Sequence, residues 1–278
     1  MKKTVAIIGI GLIGGSLGQA LRRNRRYRVI GVARRARVLR DALRRGAVDS
    51  GSRDLRTVSA ADIVVIATPV GEIARMARKI HPYLRRGAVV TDVGSVKGSV
   101  LSAIGRSVPF VGSHPLAGSH RTGIRAARPD LFKNSTCVVV PSRSVSSEAI
   151  VRMWKDAGAK VQSLPARVHD ERVALISHLP HVVAHAMVQS VLSSKDRAAL
   201  IPLLAGSFRD ATRVASSDPD QWAQIFSGNQ PALRRALAAF RKQLSVIERQ
   251  LGRPSLRRHL QRAHRFRLPL FQTASSAR

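Results

Sequence analysis

The chain has one cysteine, few aromatic residues and few acids, and each scarcity closes off an interpretation. A lone Cys137 in 278 residues excludes an intramolecular disulfide and any all-cysteine metal site. With aromatics at 4%, there is no interleaving of rings and basic residues of the kind that stacks nucleic-acid bases. Asp and Glu total 16 against 48 Lys and Arg, a formal charge of +32. Such an excess attracts polyanions without selectivity. It is scattered over both halves, however, from Arg22, Arg23, Arg25 and Arg26 to Arg257, Arg258, Arg262 and Arg265. It therefore reads as solvated surface charge, and no specific nucleic-acid partner is expected. No apolar run is long and clean enough to span a bilayer, so no membrane partner is expected either. The basic, apolar start at Met1–Ile8 runs straight into Gly9-Ile10-Gly11 and reads as a buried strand rather than a leader. A cytoplasmic location follows as the expectation.

What is present is 44% hydrophobic sequence, enough for a large core and two domains. Short β-branched runs at Thr4–Ile10, Tyr27–Val32, Asp62–Ala67, Ala88–Val93, Pro109–Gly112 and Thr136–Val140 read as strands. Helical spacing at Leu12–Asn24, Val38–Arg45 and around Ile73–Leu84 separates the earlier ones. Strand–helix alternation predicts an α/β, doubly wound, mainly parallel sheet over residues 1–165. Strand-like runs then stop. Val168–Leu192 reads as one long apolar helix interrupted at Pro180, and Gln230–Leu251 as another, so residues 166–254 form an all-helical domain. Residues 255–278, a basic tail without clear period, are expected to be loosely ordered.

Gly9-Ile10-Gly11-Leu12-Ile13-Gly14 follows the first strand and opens the first helix, the context a dinucleotide fingerprint requires. Gly9 permits the turn, Gly11 lets a pyrophosphate approach, and Gly14 allows close helix–strand packing, while the helix start at Leu12 and Ile13 stabilises phosphate charge. Thr68, just past the Asp62–Ala67 run, joins these cofactor-binding candidates. Selectivity for NAD usually comes from an acid at the end of the second strand. This chain has Val32-Ala33-Arg34-Arg35 there, and Arg34 and Arg35 suit a 2′-phosphate. NADP is therefore the expected cofactor, with NAD an alternative.

His114 lies in the loop expected after the Pro109–Gly112 strand, where a neutral imidazole could take a hydroxyl proton. Ser95, in another Gly-rich loop, offers a hydroxyl beside it to relay or orient that proton. His178, His181 and His185 stand at helical spacing on one face. Neither cysteine nor carboxylate accompanies them in a zinc pattern, so no metal is expected. Arg209 and Arg213, four apart, would point two guanidiniums one way to hold a carboxylate. Asp210, Asp218 and Asp220 could instead tie them up as salt bridges.

Gly9–Ser16, Asp92-Val93-Gly94-Ser95-Val96-Lys97, His114-Pro115-Leu116-Ala117-Gly118, Ser177-His178-Leu179-Pro180-His181 and Phe208-Arg209-Asp210-Ala211-Thr212-Arg213 occur in that order. Together they resemble the prephenate/arogenate dehydrogenase family of tyrosine biosynthesis, over roughly residues 4–250. The resemblance implies a Rossmann domain followed by a helical domain through which two subunits dimerise. It implies a cyclohexadienol substrate, prephenate or arogenate, whose C4 hydride goes to the nicotinamide while the ring carboxylate leaves as carbon dioxide. It puts the catalytic histidine at His114, its hydroxyl partner at Ser95 and substrate support at His178 and His181. Arg213, with Arg209 behind it, would hold substrate carboxylate. The chain leaves no room for an ACT or chorismate mutase segment, so one activity is expected. It departs from the family pattern at Ser119-His120-Arg121, where an acid is usual. Two rivals fit the residues less well. One is a β-hydroxyacid dehydrogenase or imine reductase, which would favour a helix-borne lysine. The other is a basic nucleic-acid-binding or sensor protein on an inactive Rossmann scaffold.

Overall fold

The computed structural model describes residues 2–118, 121–142 and 144–272. Among the described residues, eight strands form one sheet. They are β1 (Lys3–Ile8), β2 (Tyr27–Val32), β3 (Ser50–Ser52), β4 (Ile63–Ile66), β5 (Val89–Asp92), β6 (Phe110–Pro115), β7 (Thr136–Val140) and β8 (Lys160–Ser163). Their order is β3-β2-β1-β4-β5-β6-β7-β8. Neighbours are parallel except β6 and β7, which pair antiparallel. Successive side chains of a strand point to opposite faces. Val5 and Ile7 of β1 accordingly enter one core with Leu17, Val29 and Val65, while Ala6 and Ile8 enter another with Val64, Ile66 and Ile73. Helices α1 (Leu12–Arg23), α2 (Ala36–Arg44), α3 (Val70–Ile80), α4 (Gly98–Ile104) and α5 (Glu148–Asp156) cover the two faces.

β3 and β8 were not foreseen, because Ser50–Ser52 and Lys160–Ser163 are short, polar and largely exposed, without an apolar signature. The strand carrying His114 is also longer than its apolar run. Antiparallel pairing of His114 with Val138 and of Pro115 with Cys137 extends β6, so His114 sits in a strand and not in the loop after it.

The second half holds α6 (Ala166–Val173), α7 (Leu179–Leu192), α8 (Arg197–Leu200), α9 (Gly206–Thr212), α10 (Pro219–Gly228), α11 (Gln230–Gln250) and α12 (Ser255–Gln272). The predicted interruption at Pro180 takes a different form. Ala174–His178 is a π-helical turn between α6 and α7. Pro180 directly follows this turn within one helical run, so its missing N–H falls where the hydrogen-bond ladder has already changed register. Ala166–Leu192 is, contrary to the sequence expectation, long and apolar enough by length and composition to cross a membrane. Its charges cluster at Arg167–Arg172, and the following polar residues are Ser, His and Gln, which lower hydropathy less.

The expected loose tail is also corrected. Ser255–Gln272 is a helix that touches α11 and leaves most of its residues exposed, and residues 273–278 of the expected tail lie outside the described ones. Gly252, at φ +74°, ends the preceding helix, and the residues beyond Pro254 are mostly strong helix formers. The core of this half is thin: Ala174, Leu179, Ala232, Leu233 and Ala236.

Candidate active site

The sheet reverses its strand order between β1 and β4, and ligands of such sheets bind in the crevice beyond the strand ends there. Gly9 follows β1 at φ +96°, and a Cβ on it would lie 2.6 Å from the Ala67 carbonyl oxygen after β4. A Cβ on Gly14 would lie 2.1 Å from the Gly9 carbonyl oxygen. These glycines let turn, strand and helix pack without clearance. Gly11 is the opposite case, with nothing within 4 Å of the Cβ it lacks. It caps α1 without a side-chain hydrogen bond, so the first amide groups of the helix, at Leu12 and Ile13, have no side-chain cap. The Thr68 hydroxyl across the crevice is buried without a hydrogen-bond partner. Open space, uncapped amides and an orphan hydroxyl fit the pyrophosphate of a dinucleotide. Arg34 and Arg35 are exposed between β2 and α2, and neither forms an ion pair among the described residues.

Farther along the strand ends, a polar cluster is buried between the halves. Lys97 and Asp92, both fully buried, form an ion pair, and Lys97 Nζ also donates to the Ser113 carbonyl at 2.8 Å. Ser113 N donates to Asp92 Oδ1 at 3.0 Å, and Trp154 Nε1 donates to Ser113 Oγ at 3.0 Å. These bonds fasten the backbone next to His114. His114 Nδ1 lies 2.8 Å from His169 Nε2, and His169 Nδ1 lies 2.7 Å from Asp170 Oδ1. Asp170 also accepts from Lys97 N at 2.9 Å and Gly98 N at 2.8 Å. Burial opposes ionisation of Asp170, but these donors outweigh it and hold its pKa below the ordinary carboxylate value. Burial, then His169, Lys97 and His178, push the His114 pKa well below that of a free imidazole. His114 is therefore a neutral imidazole at neutral pH.

Two more histidines approach from α7 and the π turn. Asn229 Nδ2 donates to the Asp170 carbonyl at 2.8 Å and lies 3.2 Å from His178 Nδ1. His181 stacks on Trp222 with ring centroids 3.3 Å apart. Burial is the largest cause that brings both His178 and His181 down to about 4, and the Arg213 charge adds to it at His181. His178 Nε2 and His181 Nδ1 are buried without partners. Orphaned polar atoms in a native core call for an explanation, and a ligand supplies one.

Family models match both halves of the chain. The prephenate dehydrogenase nucleotide-binding domain matches residues 17–163, and the prephenate dehydrogenase dimerization domain matches residues 165–262. The chain belongs to the prephenate dehydrogenase family. It is 35% identical to the cyclohexadienyl dehydrogenase of Zymomonas mobilis over 250 residues, 86% of this chain and 85% of that one. The prephenate dehydrogenase of Aquifex aeolicus, solved with hydroxyphenyl propionate and NAD+, superposes with a TM-score of 0.90 at 29% identity, covering 97% of this chain and 99% of that one. The arogenate dehydrogenase of Synechocystis superposes with a TM-score of 0.83 at 32% identity over 95% and 98% of the respective chains.

In this family member, His114, His178 and His181 come to one site, but two expected pairings do not form. The side-chain partner of His114 is His169; Ser95 is half-buried on the loop after β5. Arg209 and Arg213 do not share a helix face, because α9 ends at Thr212 and Arg213 opens a 3₁₀ turn. Both are exposed; Arg209 lies 4.0 Å from Asp210, while the Arg213 charge reaches His181. Of the rim segment Ser119-His120-Arg121, the first two residues lie outside the described ones. His169, Asp170, Lys97, Asp92, Asn229 and Trp222 were not singled out from the sequence for roles in the site. The adjacent His169-Asp170, polar residues at the start of an apolar helix, was the available signal.

The Lys97–Asp92 pair makes a stability prediction. Lys97→Met leaves a carboxylate buried beside His114, which costs about 3–5 kcal/mol. Denaturant unfolding measures it, and a loss below about 1 kcal/mol would mean the pair is solvated.

Proposed function

We propose that this chain catalyses the oxidative decarboxylation of prephenate or arogenate, giving 4-hydroxyphenylpyruvate or tyrosine, with NADP preferred over NAD. The observation that carries the reading is a neutral, buried His114 near the end of β6, with His178 and His181 approaching from the helical half with unpartnered ring nitrogens. A nicotinamide held in the crevice would supply the hydride acceptor for C4. His114 Nε2 takes the 4-hydroxyl proton, so that the oxygen becomes a carbonyl as hydride leaves. Loss of the ring carboxylate as carbon dioxide then sends the electron pair of the broken C–C bond through the ring to the C4 oxygen, which takes its proton back from His114 as the ring becomes aromatic. Ser95 orients the reacting hydroxyl, and His178 and His181 support the substrate. Arg213, whose charge reaches His181, holds a substrate carboxylate, and Arg209 contributes little. Gly9, Gly11, Leu12, Ile13, Gly14 and Thr68 hold the dinucleotide, and Arg34 and Arg35 pair with its 2′-phosphate.

The working unit is a homodimer joined through the helical half. Leu175, Ile176, Leu192, Ile201, Leu203 and Leu204 are exposed there, more apolar surface than a lone helical domain of this size usually leaves to water.

Initial rates with prephenate or arogenate, each with NAD or NADP, test the reaction directly. At least one pair should turn over, fastest with NADP, and Ala33→Asp should shift preference towards NAD. No turnover in any combination by folded protein would reject the activity.

His114→Asn should lower kcat by about 10²–10⁴-fold while cofactor affinity holds. Because the depressed pKa leaves this base unprotonated at pH 6.5, kcat/KM should stay level as pH falls through 6.5. It should drop only in more acid solution, as pH falls through the depressed value. An acid limb at 6.5 or above would contradict the assignment.

Arg213→Ala should raise KM roughly tenfold to a hundredfold, the range of a lost charge-assisted contact. Arg209→Ala should stay within about twofold. The reverse ranking would exchange their roles.

A further inference from the structure

A neutral imidazole donates at one nitrogen and accepts at the other, so its tautomer decides whether it can take a proton or give one. Asp170 is bonded so as to make that choice for two histidines. Its ionised carboxylate only accepts, so His169 carries its proton on Nδ1, 2.7 Å from Asp170 Oδ1. With its one ring proton so placed, His169 presents a bare Nε2, 2.8 Å from His114 Nδ1. His114 Nδ1 is therefore the donor of that bond, and His114 Nε2 is left with its lone pair free. The main chain of Asp170 acts the other way. Its carbonyl accepts from Asn229 Nδ2 at 2.8 Å, which fixes the orientation of the amide. The group 3.2 Å from His178 Nδ1 is thus an N–H, and His178 accepts there. The proton of His178 stands on Nε2, a buried atom with no partner.

We propose that Asp170 sets opposite tautomers in the two histidines, a bare Nε2 on His114 to accept the substrate proton and an Nε2–H on His178 to donate to a substrate oxygen. His169 and Asn229 transmit the choice, and with Asp170 they are positioning residues. The catalytic consequence rests on the reading of His114 as the base; the tautomers themselves do not. After His114 takes its proton, the Nδ1–H bond to His169 stays in place, backed by the Asp170 carboxylate, and no ring has to turn. The groups facing His114 are His169 and His178 from the helical half and Lys97 from the loop after β5. Asp170, His169, Asn229 and the Trp222 ring face His178. Because His169, Asp170 and Asn229 belong to the helical half and His114 to β6, the base acquires its tautomer only when the halves are docked.

Long-range proton–nitrogen NMR of the ¹⁵N-histidine-labelled free protein at neutral pH reads both tautomers without substrate or cofactor. Loss of one ring's signals in His114→Asn, and of the other's in His178→Asn, assigns them. Expected are a protonated Nδ1 on His114 and a protonated Nε2 on His178. A His114 protonated at Nε2, or a His178 protonated at Nδ1, overturns the proposal, and the unaltered protein alone decides this. In kinetics, His169→Leu should lower kcat about 100-fold with KM and cofactor Kd within about threefold. His169→Gln, whose Oε1 can accept from His114 Nδ1, should recover about tenfold of that loss. Equal kcat in His169→Leu and the unaltered protein would also overturn the relay. Expected tautomers combined with full activity in His114→Asn would reject His114 as the base and leave the tautomer assignment standing.

Discussion

The arrangement of this molecule depends on one buried carboxylate. Removing a charge from water is costly, and a carboxylate stays ionised in a protein only where donors replace its hydration. Asp170 has three: the amides of Lys97 and Gly98 and the ring of His169. The first two belong to the loop between β5 and α4, and Asp170 belongs to α6. Satisfying the carboxylate therefore docks the helical half on the sheet at the edge where the histidines meet. A side chain unable to accept from all three would leave buried amides unpaired and the two halves without their common anchor.

A second buried charge works inside the sheet. Lys97 turns inward to Asp92 and the Ser113 carbonyl, holding the end of β5 against β6. It also places a cation near His114, which reinforces the effect of burial in keeping that imidazole neutral. Lys97 thus serves both charges, its ammonium pairing with Asp92 and its amide with Asp170. The cofactor crevice is built on the opposite economy. The turn proposed to hold the phosphates presents uncapped backbone amides and missing side chains, and the charged candidates Arg34 and Arg35 stand exposed after β2.

Much of this was readable along the chain because the relevant physics is local. The Gly9–Gly14 turn needs particular residues at consecutive positions, and strands buried on both faces need continuous apolar runs such as Ile63–Ile66. His114 stood out by its neighbours in the loop motif. What failed to show were contacts between distant segments. His114 and His169 are 55 positions apart, and nothing in either segment names the other. Arg209 and Arg213 illustrate the converse: spacing of four implies a shared face only while the helix continues, and it stops at Thr212.

The sequence by itself determined the two-part architecture, the family and the identity of the chemical groups, because periodicity, glycine placement and ordered motifs are properties of neighbouring residues. Tertiary structure alone decided which nitrogen meets which oxygen. It gave His114 a histidine rather than a serine as partner and extended β6 through pairing with β7. Hydrogen bonds are directional and short, so protonation and tautomer are settled only when atoms remote in sequence come within about 3 Å of each other.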